Sequence, residues 1–312
     1  GDPVILVGAP TAAGKSGLAL AIAERFGGTV VNADSMQVYR DLEIVTARPG
    51  AAELARVPHR LYGVLDADQP CSAGRWREMA LGEIAAATAA GHVPVLVGGT
   101  GLYLRALKTG LHPMPAVPGA VRTALNARLA AEGAPALHRD LAARDPETAA
   151  RLAPGDSQRI VRALEILDHT GRGQSAWQAG RTAGAPPSLR FLTLLLTPPR
   201  DELYAACDAR FARMLDAGAE AEVARFAGRP GAAESPLMKA VGVAPIRARL
   251  AGEIDRDRMM ELGRRDTRRY AKRQLTWFRN QIVADLILET KLSENNGDEI
   301  FSFISNFLLT PA

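Results

Sequence analysis

Short apolar runs alternate with helical patterns through the first third of the chain, and then the rhythm changes. Val4 to Val7 reads as a buried strand and Lys15 to Phe26 as a helix. Thr29 to Ala33 is a second strand, and Arg60 to Val64 a weaker one. Ser72 is placed to cap a helix running to about Ala90, Val93 to Val97 is another strand, and a helix from about Leu102 to Lys108 follows a glycine-rich turn. Strands separated by helices in this way argue for a parallel sheet covered by helices. Pro113, Pro115 and Pro118 then break the chain, and from Gly119 to about Gly180 every segment reads helical and polar-faced. Pro186 and Pro187 close that stretch, Leu189 to Thr197 reads as a strand returning to the sheet, and helical patterns continue from Asp201 to about Ile287. The pattern predicts an α/β fold, with a parallel-sheet core (1–117 and 188–290) interrupted by an all-helical insertion domain (118–187) and followed by a terminal helix or tail (291–312). In that last segment Ile300, Phe301, Ile304, Phe307 and Leu308 share one helical face, which favours packing on the body.

Composition narrows the class. Of 312 residues, 47% are hydrophobic and 23% charged, which excludes disorder as the main state. Two cysteines, Cys71 and Cys207, exclude a disulfide framework and a multi-cysteine zinc site, and they fit a reducing compartment. The five histidines show no metal-ligand spacing. No run approaches the roughly 18 apolar residues of a membrane span, and the chain starts on a strand rather than a signal peptide. A cytoplasmic protein without a membrane partner, acting as a monomer, is expected. The net charge of +4 hides an uneven distribution. Residues 263–280 carry seven basic side chains against one acid, whereas residues 285–312 carry one lysine against five acids. The basic stretch, interleaved with Tyr270, Trp277 and Phe278, suits RNA phosphates, and Lys272 and Arg273 are its candidate contacts.

The chemistry begins at Gly8-Ala9-Pro10-Thr11-Ala12-Ala13-Gly14-Lys15-Ser16, which follows a strand and opens a helix. That context makes a P-loop credible. The loop from Ala9 to Ser16 would cradle phosphate oxygens at a helix N-terminus through the backbone N–H groups of its residues other than Pro10. Lys15 would neutralise phosphate charge, and the Ser16 hydroxyl would ligate Mg²⁺. The first glycine of the usual pattern is Ala9 here, which resists positive φ and predicts a slightly reshaped turn. An ordinary P-loop NTPase or kinase carries an Asp after a later strand to help hold Mg²⁺, but Val93 to Val97 ends in Gly98-Gly99-Thr100-Gly101. The acid instead ends the second strand, at Asp34. Ligands bind outside the carboxyl ends of parallel strands, so Asp34 and the P-loop are expected to share one site. There a carboxylate suits a proton acceptor for an incoming nucleophile.

Several ordered motifs together resemble the tRNA dimethylallyltransferases. They are Pro10 to Ser16, Asp34-Ser35-Met36-Gln37-Val38-Tyr39, Pro58-His59-Arg60-Leu61, Val97 to Tyr103, Gln158 to Glu165 and Thr267 to Arg279. The resemblance runs from residue 4 to about 285. It implies transfer of a dimethylallyl group from dimethylallyl diphosphate to N6 of the adenosine immediately 3′ of the anticodon, with the P-loop holding the diphosphate. It implies Asp34 as the acceptor of the N6 proton, Thr100 as an orienting group, Lys15 stabilising the leaving group, and Arg210 contacting the diphosphate. It also implies that Asp34, Ser35, Met36, Gln37, Thr100, Arg122, Gln158, Arg159, Ile160, Val161, Arg162 and Lys239 meet the tRNA anticodon stem-loop. Arg159 and Arg162 lie one helical turn apart and would make one basic patch. Ala206 and Val243 stand where the family usually has Arg and Tyr. The alternatives are a P-loop small-molecule kinase, a nucleotide-gated RNA-binding protein without catalysis, and a prenyltransferase acting on free adenine nucleotides. A helical insertion and a basic helix argue against the last, since a small acceptor needs neither.

Overall fold

The computed structural model describes residues 1–180, 184 and 186–310. The chain opens with β1 (Asp2–Gly8), α1 (Lys15–Phe26), β2 (Gly28–Asn32), the short helices α2 (Glu43–Thr46) and α3 (Ala51–Leu54), and β3 (His59–Arg60). It continues with α4 (Ala73–Ala89), β4 (Val93–Gly98) and α5 (Gly101–Thr109). Five helices follow without a strand: α6 (Gly119–Glu132), α7 (Ala134–Arg144), α8 (Pro146–Ala150), α9 (Ser157–Thr170) and α10 (Gln174–Gln178). Then come β5 (Leu189–Leu196), α11 (Arg200–Asp216), α12 (Ala219–Ala227), two 3-10 turns, α13 (Val243–Leu250), α14 (Arg256–Gln281), β6 (Leu286–Leu288) and α15 (Glu294–Leu309).

Two compact units emerge, 1–108 with 186–312 and 109–185. The sequence drew the insertion at 118–187; its last stretch, 181–183 and 185, lies outside the described residues, as do 311–312 of the terminal segment. In the first unit all six strands run parallel in the order β3-β2-β4-β1-β5-β6. Alternate residues of β1 divide between the sheet's two faces. Val4 and Leu6 join a core with Trp76, Ala80 and Ile84 of α4, and Ile5 and Val7 join a second core with Leu18 and Ile22 of α1. Two covered faces explain why the strands read as continuous apolar runs. Ile300 and Ile304 of α15 are buried in that second core, with Phe301, Phe307 and Leu308 packed against it. No helix among the described residues is long and apolar enough to cross a membrane.

Two elements depart from the sequence pattern. The weak strand expected over Arg60 to Val64 is only His59–Arg60, because Leu61 and Gly63 turn left-handed at φ 61° and end it. The helical reading to Ile287 missed β6. α14 stops at Gln281, and Asp285 docks on β5, its N–H donating to Thr193 O at 2.8 Å and its Oδ2 accepting from Thr193 N–H at 2.7 Å. A three-residue strand offers too few positions to reveal an alternation.

The second unit has its own core of Leu125, Leu137, Leu141, Ile160, Val161, Leu164 and Leu167. Into it α9 also turns Glu165, whose side chain is 2% exposed and bonded to Arg122 at 2.5 Å and Arg162 at 3.0 Å. Burial pushes this carboxyl up, but hydrogen bonds from Arg122 and Arg162 outweigh it and hold the group below its ordinary value. A depressed carboxyl contributes stability that is complete above its unfolded value and is lost as pH falls through the folded one. Wild-type protein is therefore expected to lose more melting temperature than Glu165→Gln between about pH 5 and about pH 3. Parallel thermal melts followed by circular dichroism check this, and superimposable pH dependences would refute it.

Candidate active site

The P-loop bridges β1 and α1 at the carboxyl edge of the sheet. Its two left-handed residues are Ala12, at φ 64°, and Gly14, at φ 90°. Ala9 has no positive φ, so the glycine-to-alanine departure leaves the turn undistorted at that position. Gly8 is required for a different reason. A Cβ there would lie 2.7 Å from Leu195 and 2.9 Å from Phe278. Lys15 is buried, and its Nζ lies 3.4 Å from Pro10 O. Burial, and secondarily the Arg210 cation, lower the Lys15 ammonium to about 8, while Asp34 opposes them. Arg210 is also pulled down by burial and supported by Asp34. Lys15 at the start of α1, Asp34 in the loop after β2 and Arg210 of α11 therefore lie within electrostatic reach of one another.

Asp34 is held by a network running through its own loop. Its N–H donates to Asn32 Oδ1 at 2.9 Å, and its Oδ1 accepts from Met36 N–H at 2.9 Å. Asn32 Nδ2 donates to Asp34 O and Leu61 O, and the buried Trp76 indole donates to Asn32 O. Thr100 braces the loop from the β4 side. Its Oγ1 accepts from Ser35 N–H at 2.9 Å, and its own N–H donates to Ala33 O. Gly98 permits this approach, since a Cβ there would meet Ala33 O at 2.0 Å.

Gln274 of α14 ties the two loops together, a role the sequence motif contained but did not disclose. Its Oε1 accepts from Thr11 N–H at 2.8 Å, and its Nε2 donates to Gly99 O at 2.9 Å. Thr11, Asp34, Met36, Arg210, Lys239 and Tyr270 line one pocket of about 80 Å³. Beyond it an open hollow of about 610 Å³ is lined by Gly14, Lys15, Ser16, Arg48, Arg210, Arg213 and Lys291. Arg213 was not anticipated. It sits one turn beyond Arg210 and supplies a cation where Ala206 leaves none.

Other sequence candidates fall elsewhere. Gln37 is buried, and its Nε2 donates to Thr46 O and Ala47 O. Ile160 and Val161 are buried in the insertion core, which removes their side chains from a contact surface. Arg159 pairs with Asp156, and Arg122 and Arg162 share Glu165, so the basic patch is partly neutralised. Val243 is core, not contact. Arg273 lies beside Lys239 and Arg269, whereas Lys272 faces a separate hollow with Arg200, Tyr204 and Arg279. Gln158 is exposed on the first turn of α9. Phe278 is buried and Trp277 packs against Gly101, while Arg269, Lys272, Arg273 and Arg279 are exposed along the second half of α14. No group of three or more His, Cys, Asp or Glu able to hold a metal occurs among the described residues.

The family model described as IPP transferase matches residues 37–281. A tRNA dimethylallyltransferase of Rhodospirillum centenum is 57% identical over 282 residues, 90% of each chain. One from Paramagnetospirillum magneticum is 47% identical over 308 residues, 99% of this chain and 98% of that one. Among solved structures, the full-length tRNA isopentenylpyrophosphate transferase of Bacillus halodurans matches with a TM-score of 0.70 at 32% identity, covering 99% of this chain and 97% of that one. A eukaryotic dimethylallyltransferase acting on tRNA matches with a TM-score of 0.79 at 25% identity, covering 98% and 80%.

Proposed function

The chain belongs to the IPP transferase family, and from that premise we propose how its own residues carry out the transfer of a dimethylallyl group from dimethylallyl diphosphate to tRNA. The acceptor is N6 of the adenosine immediately 3′ of the anticodon. One observation carries the reading: a single carboxylate, Asp34, stands in a pocket with Arg210 and the P-loop's Thr11, and it interacts with Lys15. The diphosphate lies on the P-loop N–H groups at the start of α1, gripped by Lys15 and Arg210. N6 attacks the allylic carbon, the C–O bond breaks with its electrons passing to the diphosphate, and the N6 proton passes to the Asp34 carboxylate. Thr100 acts by bracing the Asp34 loop through Ser35 N–H.

The donor set suits Mg²⁺ held mainly by the diphosphate, because the exposed Ser16 hydroxyl is joined by no carboxylate cluster among the described residues. When bound, Mg²⁺ would neutralise charge developing on the leaving group. Recognition of the anticodon stem-loop falls in this reading to Ser35, Met36, Arg122, Gln158, Arg159, Arg162, Lys239, Arg273 and, on its separate face, Lys272. The target base leaves its stack to reach Asp34, which costs least in a single-stranded loop. The reading includes a cytoplasmic, monomeric enzyme. A small-molecule kinase, the alternative raised by the P-loop, receives no support from the family.

Incubation with dimethylallyl diphosphate, Mg²⁺ and a tRNA having adenosine next to the anticodon is expected to yield prenylated tRNA and diphosphate. Mass spectrometry of the nucleosides reads the product. Phosphoryl transfer from ATP to a small acceptor, with no prenylation of tRNA by folded protein, would overturn the reading.

A further inference from the structure

The last segment of the chain is acidic, yet its one lysine lies over the P-loop. From residue 285 onward the sequence has five acids and a single basic residue, Lys291. The stem of that lysine crosses Gly14. A Cβ built on Gly14 would come within 3.1 Å of Lys291 Cγ and 3.3 Å of its Cδ. Gly14 therefore serves two ends, a left-handed φ and a close approach by a side chain nearly 280 residues away in sequence. Lys291 lines the same hollow as Lys15, Ser16, Arg210 and Arg213. Its side chain is exposed, and its ammonium has no ion-pair partner among the described residues. Of the acids lining that hollow, Glu43 already pairs with Arg48 at 3.3 Å.

The backbone that presents Lys291 is fixed rather than trailing. Thr197 N–H donates to Leu288 O at 2.8 Å, which anchors the chain just before it. Asn296 Nδ2 donates to Lys291 O at 2.9 Å and to Thr290 Oγ1 at 3.0 Å. The same Asn296 side chain accepts from Ser293 N–H at 2.8 Å, closing the first turn of α15. α15 is itself pinned by Ile300 and Ile304 in the core. A helix anchored in the core thus holds one cation at the outer lip of the phosphate loop.

We propose that Lys291 is a second lysine for the diphosphate of the prenyl donor, gripping it from outside the P-loop while Lys15 grips it from within. The proposal rests on the reading that the P-loop holds dimethylallyl diphosphate. An exposed ammonium at the mouth acts on donor and released diphosphate alike and has no part in accepting tRNA. Its effect is screened by salt because it faces solvent.

In the full-length chain, Lys291→Ala is expected to raise KM for dimethylallyl diphosphate about tenfold, equivalent to about 1.4 kcal/mol. The inhibition constant of inorganic diphosphate should rise in parallel, while KM for tRNA and kcat stay within about threefold of wild type. Lys291→Arg should recover most of the loss, and the difference between Ala and wild type should shrink in high salt. Unchanged donor KM and diphosphate inhibition in Lys291→Ala would overturn the proposal. So would a joint rise of both substrate KM values with a fall in melting temperature that Arg does not rescue, since that marks a merely structural residue. Wild-type protein that fails to prenylate tRNA would instead strike the functional reading. Calorimetric titration of wild type and Lys291→Ala with inorganic diphosphate then still decides the role of Lys291.

Discussion

Asp34→Asn is expected to lower kcat by about two to four orders of magnitude, the range that a positioned general base contributes. The substitution is close to isosteric, and the local network tolerates it. Asp34 Oδ1 accepts from Met36 N–H, an amide oxygen can do the same, and the Asp34 N–H bond to Asn32 does not involve the side chain. The loop is further held by Thr100 and, through Asn32, by Trp76. Melting temperature and tRNA dissociation constant should therefore stay near wild type. What is lost is a carboxylate able to take the N6 proton. The carboxylate also supports the protonated form of Lys15, so rates should be compared near pH 7, below the value of about 8 at which Lys15 titrates. Single-turnover rates with saturating tRNA and dimethylallyl diphosphate provide the measurement. A rate within tenfold of wild type would remove Asp34 as the base. It would favour a water-mediated proton loss, whereas no prenylation by either protein would favour a nucleotide-gated RNA-binding role.

The pairing of Asp34 with the P-loop was legible because both sit at strand ends, and parallel strands bring their carboxyl ends to one edge. β1 and β4 announced themselves as apolar runs and β2 by its Val30-Val31 pair, since each is buried on both faces. What escaped was whatever depends on contacts between segments far apart in the chain. β6 is three residues long and exists because Asp285 docks on Thr193. Gln274 looked like one polar residue in a basic helix, yet its amide joins Thr11 to Gly99. Ile160 and Val161 belong to a motif that resembles RNA-binding segments, but α9 is amphipathic and these two lie on its buried side. A motif marks a stretch of chain, whereas periodicity marks which side of it is available. Arg213 follows Arg210 at helical spacing, so its position could have been inferred once Arg210 was placed on α11.

Lys15→Met is expected to cut kcat/KM for dimethylallyl diphosphate by about a hundredfold to a thousandfold, the effect of removing one preorganised group that stabilises developing negative charge. A pH profile separates this role from a structural one. Burial and the neighbouring Arg210 bring the Lys15 ammonium down from 10.5 to about 8, with Asp34 acting the other way. The cation is therefore present in the free enzyme below about 8 and is lost above it. Because kcat/KM reports the free enzyme, its value for the donor should fall as pH rises through that window. The Lys15→Met profile should lack this alkaline fall. Stability moves in the opposite sense. A buried lysine whose folded value is depressed binds its proton less readily than in the unfolded chain, so holding the charge costs stability at neutral pH, and stability rises as the pH climbs from about 8 towards 10.5. Lys15→Met should accordingly melt at or above the wild-type temperature at pH 7 while being nearly inactive. An inactive variant that melts well below wild type would assign Lys15 to folding. An active variant that keeps the alkaline fall would assign the titration to another group.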